Sequence, residues 1–301
     1  MEQFFQQLTN GLAVGGIYAL IALGYTMVYG VLKLINFAHG DLFTIGAYLG
    51  LTLLTAMSLT DRLGPLVGVL LLAIMVMILV GIVGILLDQA AYKPLRSSPR
   101  LSAVVSALGA SIFFQNTVML IYGARFHVYP QDILPKVTLD IFGMPIPLIR
   151  ILILLTSVLM MVALYAFIQK TKVGTAIRAA AEDQGAARLM GIDVNGVIMI
   201  VFFIGPALGG AAGLMVGLYY GQVNFTMGWI YGLKAFTAAI LGGIGNIPGA
   251  MVGGILLGVI EAMGAAYISI AWKDAIAFLV LILILIVRPT GLLGERVAEK
   301  I

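Results

Sequence analysis

Cysteine is absent from the 301 residues, which excludes a disulfide framework and any thiolate metal site. Histidine occurs only twice, too rarely for a His-rich metal centre. Charged residues are scarce, at 10% against roughly 25% in an ordinary soluble domain. Also missing are a G-x-x-x-x-G-K-[ST] phosphate loop, an H-E-x-x-H pair, and a serine with histidine and acid partners on a soluble framework. An enzyme is therefore not expected, no cofactor is expected in this chain, and any ATP-driven step has to run on another one. The opening "MEQFFQQLTNG" has no Lys or Arg ahead of its apolar run, so a cleaved signal peptide is not supported and the first helix is expected to stay.

What is present is oil. Hydrophobic residues make up 61% of the chain, against about 45–50% in soluble domains, and several runs reach the ~20 residues a spanning helix needs. The alternating pattern of a membrane β-barrel is absent. These features define an all-α integral membrane protein embedded in the lipid bilayer, a polytopic bundle of about eight membrane segments with broken helices, read as one transmembrane domain over 1–301. The segments fall near 8–31, 42–58, 66–87, 101–122, 148–168, 197–220, 232–268 with an interruption, and 274–287. Gln115 and Asn116 weaken the fourth. The 37 glycines suit helices that pack backbone to backbone or break within the membrane.

Basic residues are retained on the cytoplasmic side of a membrane protein. They collect in "DQAAYKPLRSSPR" (Lys93, Arg96, Arg100), between Gln169 and Gly196 (Lys170, Lys172, Arg178, Arg188), and in the tail (Arg288, Arg296, Lys300). The other side, with Arg62, Arg125, Lys136, Arg150 and Lys273, has half as many. This predicts an external N-terminus and a cytoplasmic C-terminus. It also accounts for the formal charge of +4 without an acidic partner, and nucleic-acid binding is not expected. The largest external loop is "YGARFHVYPQDILPKVTLDIFGMPIP". Its Pro130, Pro135, Pro145 and Pro147 argue against one long helix and for a short hairpin or surface helix.

One inside loop differs from the rest: "TKVGTAIRAAAEDQGAARLMGIDVNG", residues 171–196. Thr175 is a suitable cap for a first short helix, Asp183 for a second, and Gly191 is a natural stop. Ala176, Ile177, Ala180 and Ala181 recur at helical spacing, as do Ala186, Ala187 and Met190, giving each helix a small apolar face. A pair resting on the bilayer surface is one reading. The alanine faces lack the Trp, Phe and Leu bulk of interfacial anchors, which points instead to docking on a protein.

Two segments look broken. "VYGVLKLINFAHGDLFTIGAY" carries Asn36, His39 and Asp41 between apolar runs, and "AAILGGIGNIPGAMVGGILLG" carries Gly243, Asn246 and Pro248. Unpaired backbone groups cost several kcal/mol each in hydrocarbon, so a break at depth is tolerated only where protein or a water-filled path satisfies it. Such paired breaks are pointers to a transport path. The other reading makes each a short wet loop at the cytoplasmic edge, and the sequence leaves the depth open. His39 and Asp41, two apart, do not share a helix face. Glu261 is a lone acid in an apolar helix, a functional candidate by default, with Lys234 as its possible structural partner.

"GLAVGGIYALIALGYTMVYGVLKLINFAHGDLFTIGAYLG", "AYKPLRSS", "GTAIRAAAEDQGAARLMGID", "MGWIYGLKAFTAAILGGIGNIPGAMVGGILLGVIEAMGAAYIS" and "VLILILIVRPTGLLG" resemble, in this order, the LivH-type permeases of bacterial branched-chain amino-acid ABC importers. The resemblance runs from about residue 8 to 294 and is weakest around 123–147. It implies an inner-membrane subunit working with a second, homologous permease, two ATP-binding subunits that hold ATP and Mg, and a periplasmic amino-acid-binding protein. It also implies that residues 171–196 form the segment that couples to the ATPase, with Arg178, Glu182, Asp183 and Gly191 in it. Asn36, His39, Asp41, Gly243, Asn246 and Glu261 are the candidates for the substrate path. Two other functions fit the composition: a self-contained channel or carrier, which has no use for the docking loop and whose water-channel form would want Asn-Pro-Ala where "NIPG" stands, and a related permease for urea, amides or sugars.

Overall fold

The computed structural model describes residues 2–57, 63–96, 98–130, 133, 137–141 and 144–294. Arg62, Pro135, Lys136, Arg296 and Lys300 of the sequence argument lie outside them. The long helices are α1 (Glu2–Leu32), α2 (His39–Met57), α3 (Pro65–Leu87), α4 (Arg100–Tyr122), α5 (Leu148–Lys170), α8 (Val194–Tyr220), α9 (Met227–Gly242), α10 (Ile247–Tyr267) and α11 (Lys273–Val287). Two short ones, α6 (Lys172–Glu182) and α7 (Gln184–Leu189), join α5 to α8. Among the described residues, eight helices are long and apolar enough to cross a membrane. The short α9 is the extra leg of the interrupted segment, and it starts at Met227, ahead of the sequence reading of 232.

α1 is the axis of the bundle. It is almost wholly buried and packs against α10, α8, α9 and α5, whereas α4 and α11 present most of their surface outward. We call the end where α1 begins proximal and the end where it stops distal. At the proximal end, β1 (His127–Val128) pairs antiparallel with β4 (Gln222–Val223), and β2 (Thr138–Ile141) forms a hairpin with β3 (Met144–Pro147). This is the hairpin that the prolines of that loop allowed. Tyr129, just after β1, is buried, donating from its hydroxyl to the Ala47 carbonyl of α2 and from its backbone N–H to the Gly221 carbonyl after α8.

At the distal end, helix termini are closed by partners far along the chain. Residues 292 and 293 donate from their backbone N–H groups to the Leu241 and Gly242 carbonyls, each at 2.9 Å, so the tail satisfies the acceptors left free at the end of α9. α3 runs into a π-helical turn at Asp88–Tyr92, a local widening of the helix that is often found near functional places. Arg96 then folds back to grip both oxygens of buried Asp88 at 2.7 Å and reaches Asn195 at the start of α8, also at 2.7 Å.

Candidate functional site

The predicted path residues fall into separate places. The first is the start of α2. Lys33 takes φ 53°, a left-handed turn disfavoured for a non-glycine residue, and ends α1 sharply. The chain then turns back into the bundle, so α2 starts beside the middle of α1 rather than at the surface. His39 is fully buried there: its Nε2 lies 3.2 Å from the Ile21 carbonyl, and its ring packs edge-on to Tyr25. Gly24 makes room for it, since a Cβ at that position would lie 2.3 Å from the imidazole. Asn36 Oδ1 accepts from the Ala38 N–H at 3.1 Å and from the Tyr92 hydroxyl at 2.9 Å, tying the break to the π-turn.

Asp41 points elsewhere, as its spacing from His39 required. It is buried and accepts from the Ser111 hydroxyl midway along α4. Asn36 Nδ2 and His39 Nδ1 are buried without a hydrogen-bond partner among the described residues, each costing about 1–3 kcal/mol. Asn36, His39 and Asp41 are buried, so the reading that makes the first break a short wet loop is corrected for these residues, although the turn begins at exposed Lys33.

The second break keeps that edge reading. Gly245 is exposed and Asn246 half-buried, so this is a turn at the distal rim. Asn246 caps α10 by accepting from the Gly249 N–H at 2.9 Å, and its amide donates to the Leu293 carbonyl at 2.9 Å. Gly243 has φ 105°, and a side chain there would also strike Gly294, so the turn demands glycine on both counts. Gly243 and Asn246 do not join Asn36, His39 and Asp41 in one cluster; their partners are the tail.

Glu261, towards the proximal end of α10, sits in an ion cluster. Its Oε1 accepts from Lys234 of α9 at 2.7 Å, and its Oε2 accepts from the Tyr18 hydroxyl at 2.8 Å. Lys234 also pairs with Asp274 at 2.7 Å, and Lys273 stands 3.6 Å from Glu261. The expected Lys234–Glu261 pair is present, but the further members were not anticipated. "WKDA" at the start of the last helix is the signal that marked them, two opposite charges opening an otherwise apolar run.

The loop between α5 and α8 is a helix pair, as read, with one corrected cap and one corrected face. Thr171, not Thr175, caps α6, accepting from the Gly174 N–H at 2.9 Å. Asp183 caps α7, accepting from the Gly185 and Ala186 N–H groups at 2.7 and 3.0 Å. Gly191, at φ 82°, follows the end of α7. The small apolar face does not look outward: Ile177, Ala180 and Ala187 are buried against the chain's own bundle. Gln184 fastens the pair by donating to the Val31 carbonyl at 2.7 Å, one of the acceptors left open at the end of α1. Arg178, Glu182, Asp183 and Gly191 are exposed, together with Leu189 and Met190 at 90% and 82% exposure. Met190 belongs to the apolar face read from the sequence and is exposed, whereas Leu189 beside it was missed because it carries no charge and lies off that spacing.

A membrane bundle with a broken helix buried at its centre and a helix pair clamped to one rim is the architecture of a transport component rather than of a catalyst. The model of the family described as "branched-chain amino acid transport system / permease component" matches residues 7–285. The chain is 42% identical over 304 residues to the high-affinity branched-chain amino acid transport system permease protein LivH of Escherichia coli K12, covering 99% of this chain and 98% of that one. It is 44% identical over 305 residues to the corresponding protein BraD of Pseudomonas aeruginosa, with the same coverage. A probable permease from Methanocaldococcus jannaschii is 28% identical over 216 residues, 68% of this chain and 64% of that one. The chain belongs to the family of branched-chain amino-acid ABC transport permeases, multi-pass membrane subunits whose systems include ATPase and binding-protein partners.

Proposed function

We propose that this permease moves leucine, isoleucine and valine inward across the bacterial inner membrane beside a second, homologous permease. Two ATP-binding subunits, which carry ATP and Mg, engage its distal end, and a periplasmic amino-acid-binding protein delivers cargo at the proximal end. The N-terminus is periplasmic and the C-terminus cytoplasmic on this reading, following the collection of Lys93, Arg96, Lys170, Lys172, Arg178, Arg188 and Arg288 at the distal end.

The observation that carries this reading is the α6–α7 pair. Its apolar face is used up inside the chain, while an exposed tip of Leu189 and Met190 is flanked by Arg178, Glu182, Asp183 and Gly191. That is a surface held rigidly for a cytoplasmic partner. Its attachments lead to the buried break: Gln184 holds the end of α1, and Arg96 links Asn195 through Asp88 to the turn whose Tyr92 holds Asn36. Asn36, His39 and Asp41 line the path, and the Gly243–Asn246 turn, tied to the tail through Leu241, Gly242 and Asn246, holds the distal ends of α9 and α10 together. A ligand shifts an equilibrium between outward- and inward-open forms only by its differential affinity for them. The loaded binding protein therefore has to favour one form.

The test is purification of the tagged protein in mild detergent, followed by ATP hydrolysis with and without leucine-loaded binding protein. Recovery of a second permease and ATP-binding subunits, with stimulation by the loaded binding protein, is the expected result. A chain that is isolated alone and still moves solute would support the channel or carrier reading instead.

A further inference from the structure

A cavity of about 200 Å³ opens at the proximal end between the start of α1, the end of α8, α10 and the start of α11. It is smaller than the roughly 300–1,000 Å³ of sites for drug-sized ligands. Glu261 and Lys273 stand in its wall with opposite charges. Their separation of 3.6 Å is longer than the ~2.7–2.9 Å of a direct charge-assisted hydrogen bond. Lys234 takes the same carboxylate oxygen at 2.7 Å and also pairs with Asp274, so Glu261 is held in place without Lys273. Lys273 is loosely engaged and about two-fifths exposed.

An ionised carboxylate offers about four acceptor positions. Lys234 and the Tyr18 hydroxyl fill two at Glu261, and Lys273, at 3.6 Å, is within ion-pair reach of it without a direct hydrogen bond. Beside it are the polar group of Asn10, which Tyr219 holds by a hydrogen bond, and an apolar wall of Val14, Gly258, Ala262 and Ala265. Opposite charges a few ångströms apart, next to a small aliphatic wall, match a zwitterion with a short branched side chain. A metal ion is a poor fit, since no group of three or more His, Asp or Glu that could hold one occurs among the described residues.

We infer that this cavity is a binding site of the permease for a free aliphatic α-amino acid. Lys273 takes the carboxylate, Glu261 and Asn10 take the ammonium group, and the side chain rests on Val14, Ala262 and Ala265. The inference deepens the proposed function and rests on its substrate class. The Lys234–Glu261–Asp274 ties between α9, α10 and α11 are the frame of the site, and Lys273 is its free arm.

Two measurements on the assembled transporter in lipid discs test this. The first follows modification of a cysteine introduced into the cavity wall of this cysteine-free chain, Ala265→Cys, by a thiol-specific reagent with which the ligands' own amines do not compete, read by mass spectrometry. Leucine should slow it about tenfold at a saturating level, whereas leucinamide, without the carboxylate, and 4-methylpentanoate, without the ammonium group, should not. The second follows radiolabelled leucine binding to the assembly without its binding protein: K273Q should weaken it about tenfold and K273R should restore most of it. Equal modification of the cysteine at position 265 with and without leucine, in a preparation that takes leucine up, overturns the site and leaves the transport function standing. So does wild-type binding by K273Q. Absence of uptake of any branched-chain amino acid by the intact system overturns the function and the site together.

Discussion

Removing the Arg96 guanidinium would strand Asp88, whose side chain is only 1% exposed, with its charge uncompensated. Breaking a buried pair from one side typically costs about 3–5 kcal/mol. Arg96→Ala should therefore lower the apparent melting temperature of the detergent-held permease sharply. Adding Asp88→Asn should recover much of that loss, because the buried charge is then gone. If the single variant melts like wild type, the clamp contributes nothing to holding α3 against α8. The Tyr92–Asn36 hydrogen bond is a smaller matter. Tyr92→Phe removes a neutral donor worth about 0.5–1.5 kcal/mol. Its expected signature is a small stability loss with a larger loss of leucine uptake, since Asn36 stands at the buried break; equal wild-type uptake would remove Asn36 from the path.

At the scale of elements, α6 and α7 separate what holds the docking surface from what it offers. Replacing Leu189 and Met190 with aspartate changes only exposed side chains, at 90% and 82% exposure. Membrane insertion should be normal, while stimulation of ATP hydrolysis by loaded binding protein should fall at least about tenfold if the tip contributes ~1.4 kcal/mol or more to the contact. Glu182→Lys should uncouple uptake in the same way, and unchanged uptake by both variants would sink the coupling role. Asp183 is a less clean probe, because replacing an N-cap carboxylate costs about 0.5–2 kcal/mol of helix stability by itself. Most of these elements were legible beforehand. Long apolar runs located the spanning helices to within a few residues, prolines opened the proximal loop into a hairpin, and Asp183 and Gly191 marked the limits of α7. What stayed hidden was a matter of partners. Alanine periodicity reveals that a face is buried but not whether its cover is another protein or the chain itself. Thr171 and Thr175, four residues apart at one helix start, offer the same chemistry. Break depth was hidden for the same reason, because polar residues flanked by glycine read alike in a surface turn around Asn246 and in a buried helix start at His39.

At the scale of the whole molecule, the proposals share one constraint: the docking pair, the Arg96 clamp and the α9–α10 turn all lie at the distal end, and the Lys273 cavity lies at the proximal end. A single inversion of the bundle would therefore reverse every functional assignment together. Retention of basic residues predicts that the distal end is cytoplasmic, so a reporter fused after Ile301 should read cytoplasmic. One inserted after Arg125, between α4 and β1, should read periplasmic. The opposite pair of readings would put Leu189 and Met190 where no ATP-binding subunit can reach them and would turn the Glu261–Lys273 cavity toward the cytoplasm, a position for releasing an amino acid rather than receiving one. The same fusions thus decide both which rim meets the ATP-binding subunits and whether the zwitterion site stands at the mouth or at the exit of the path.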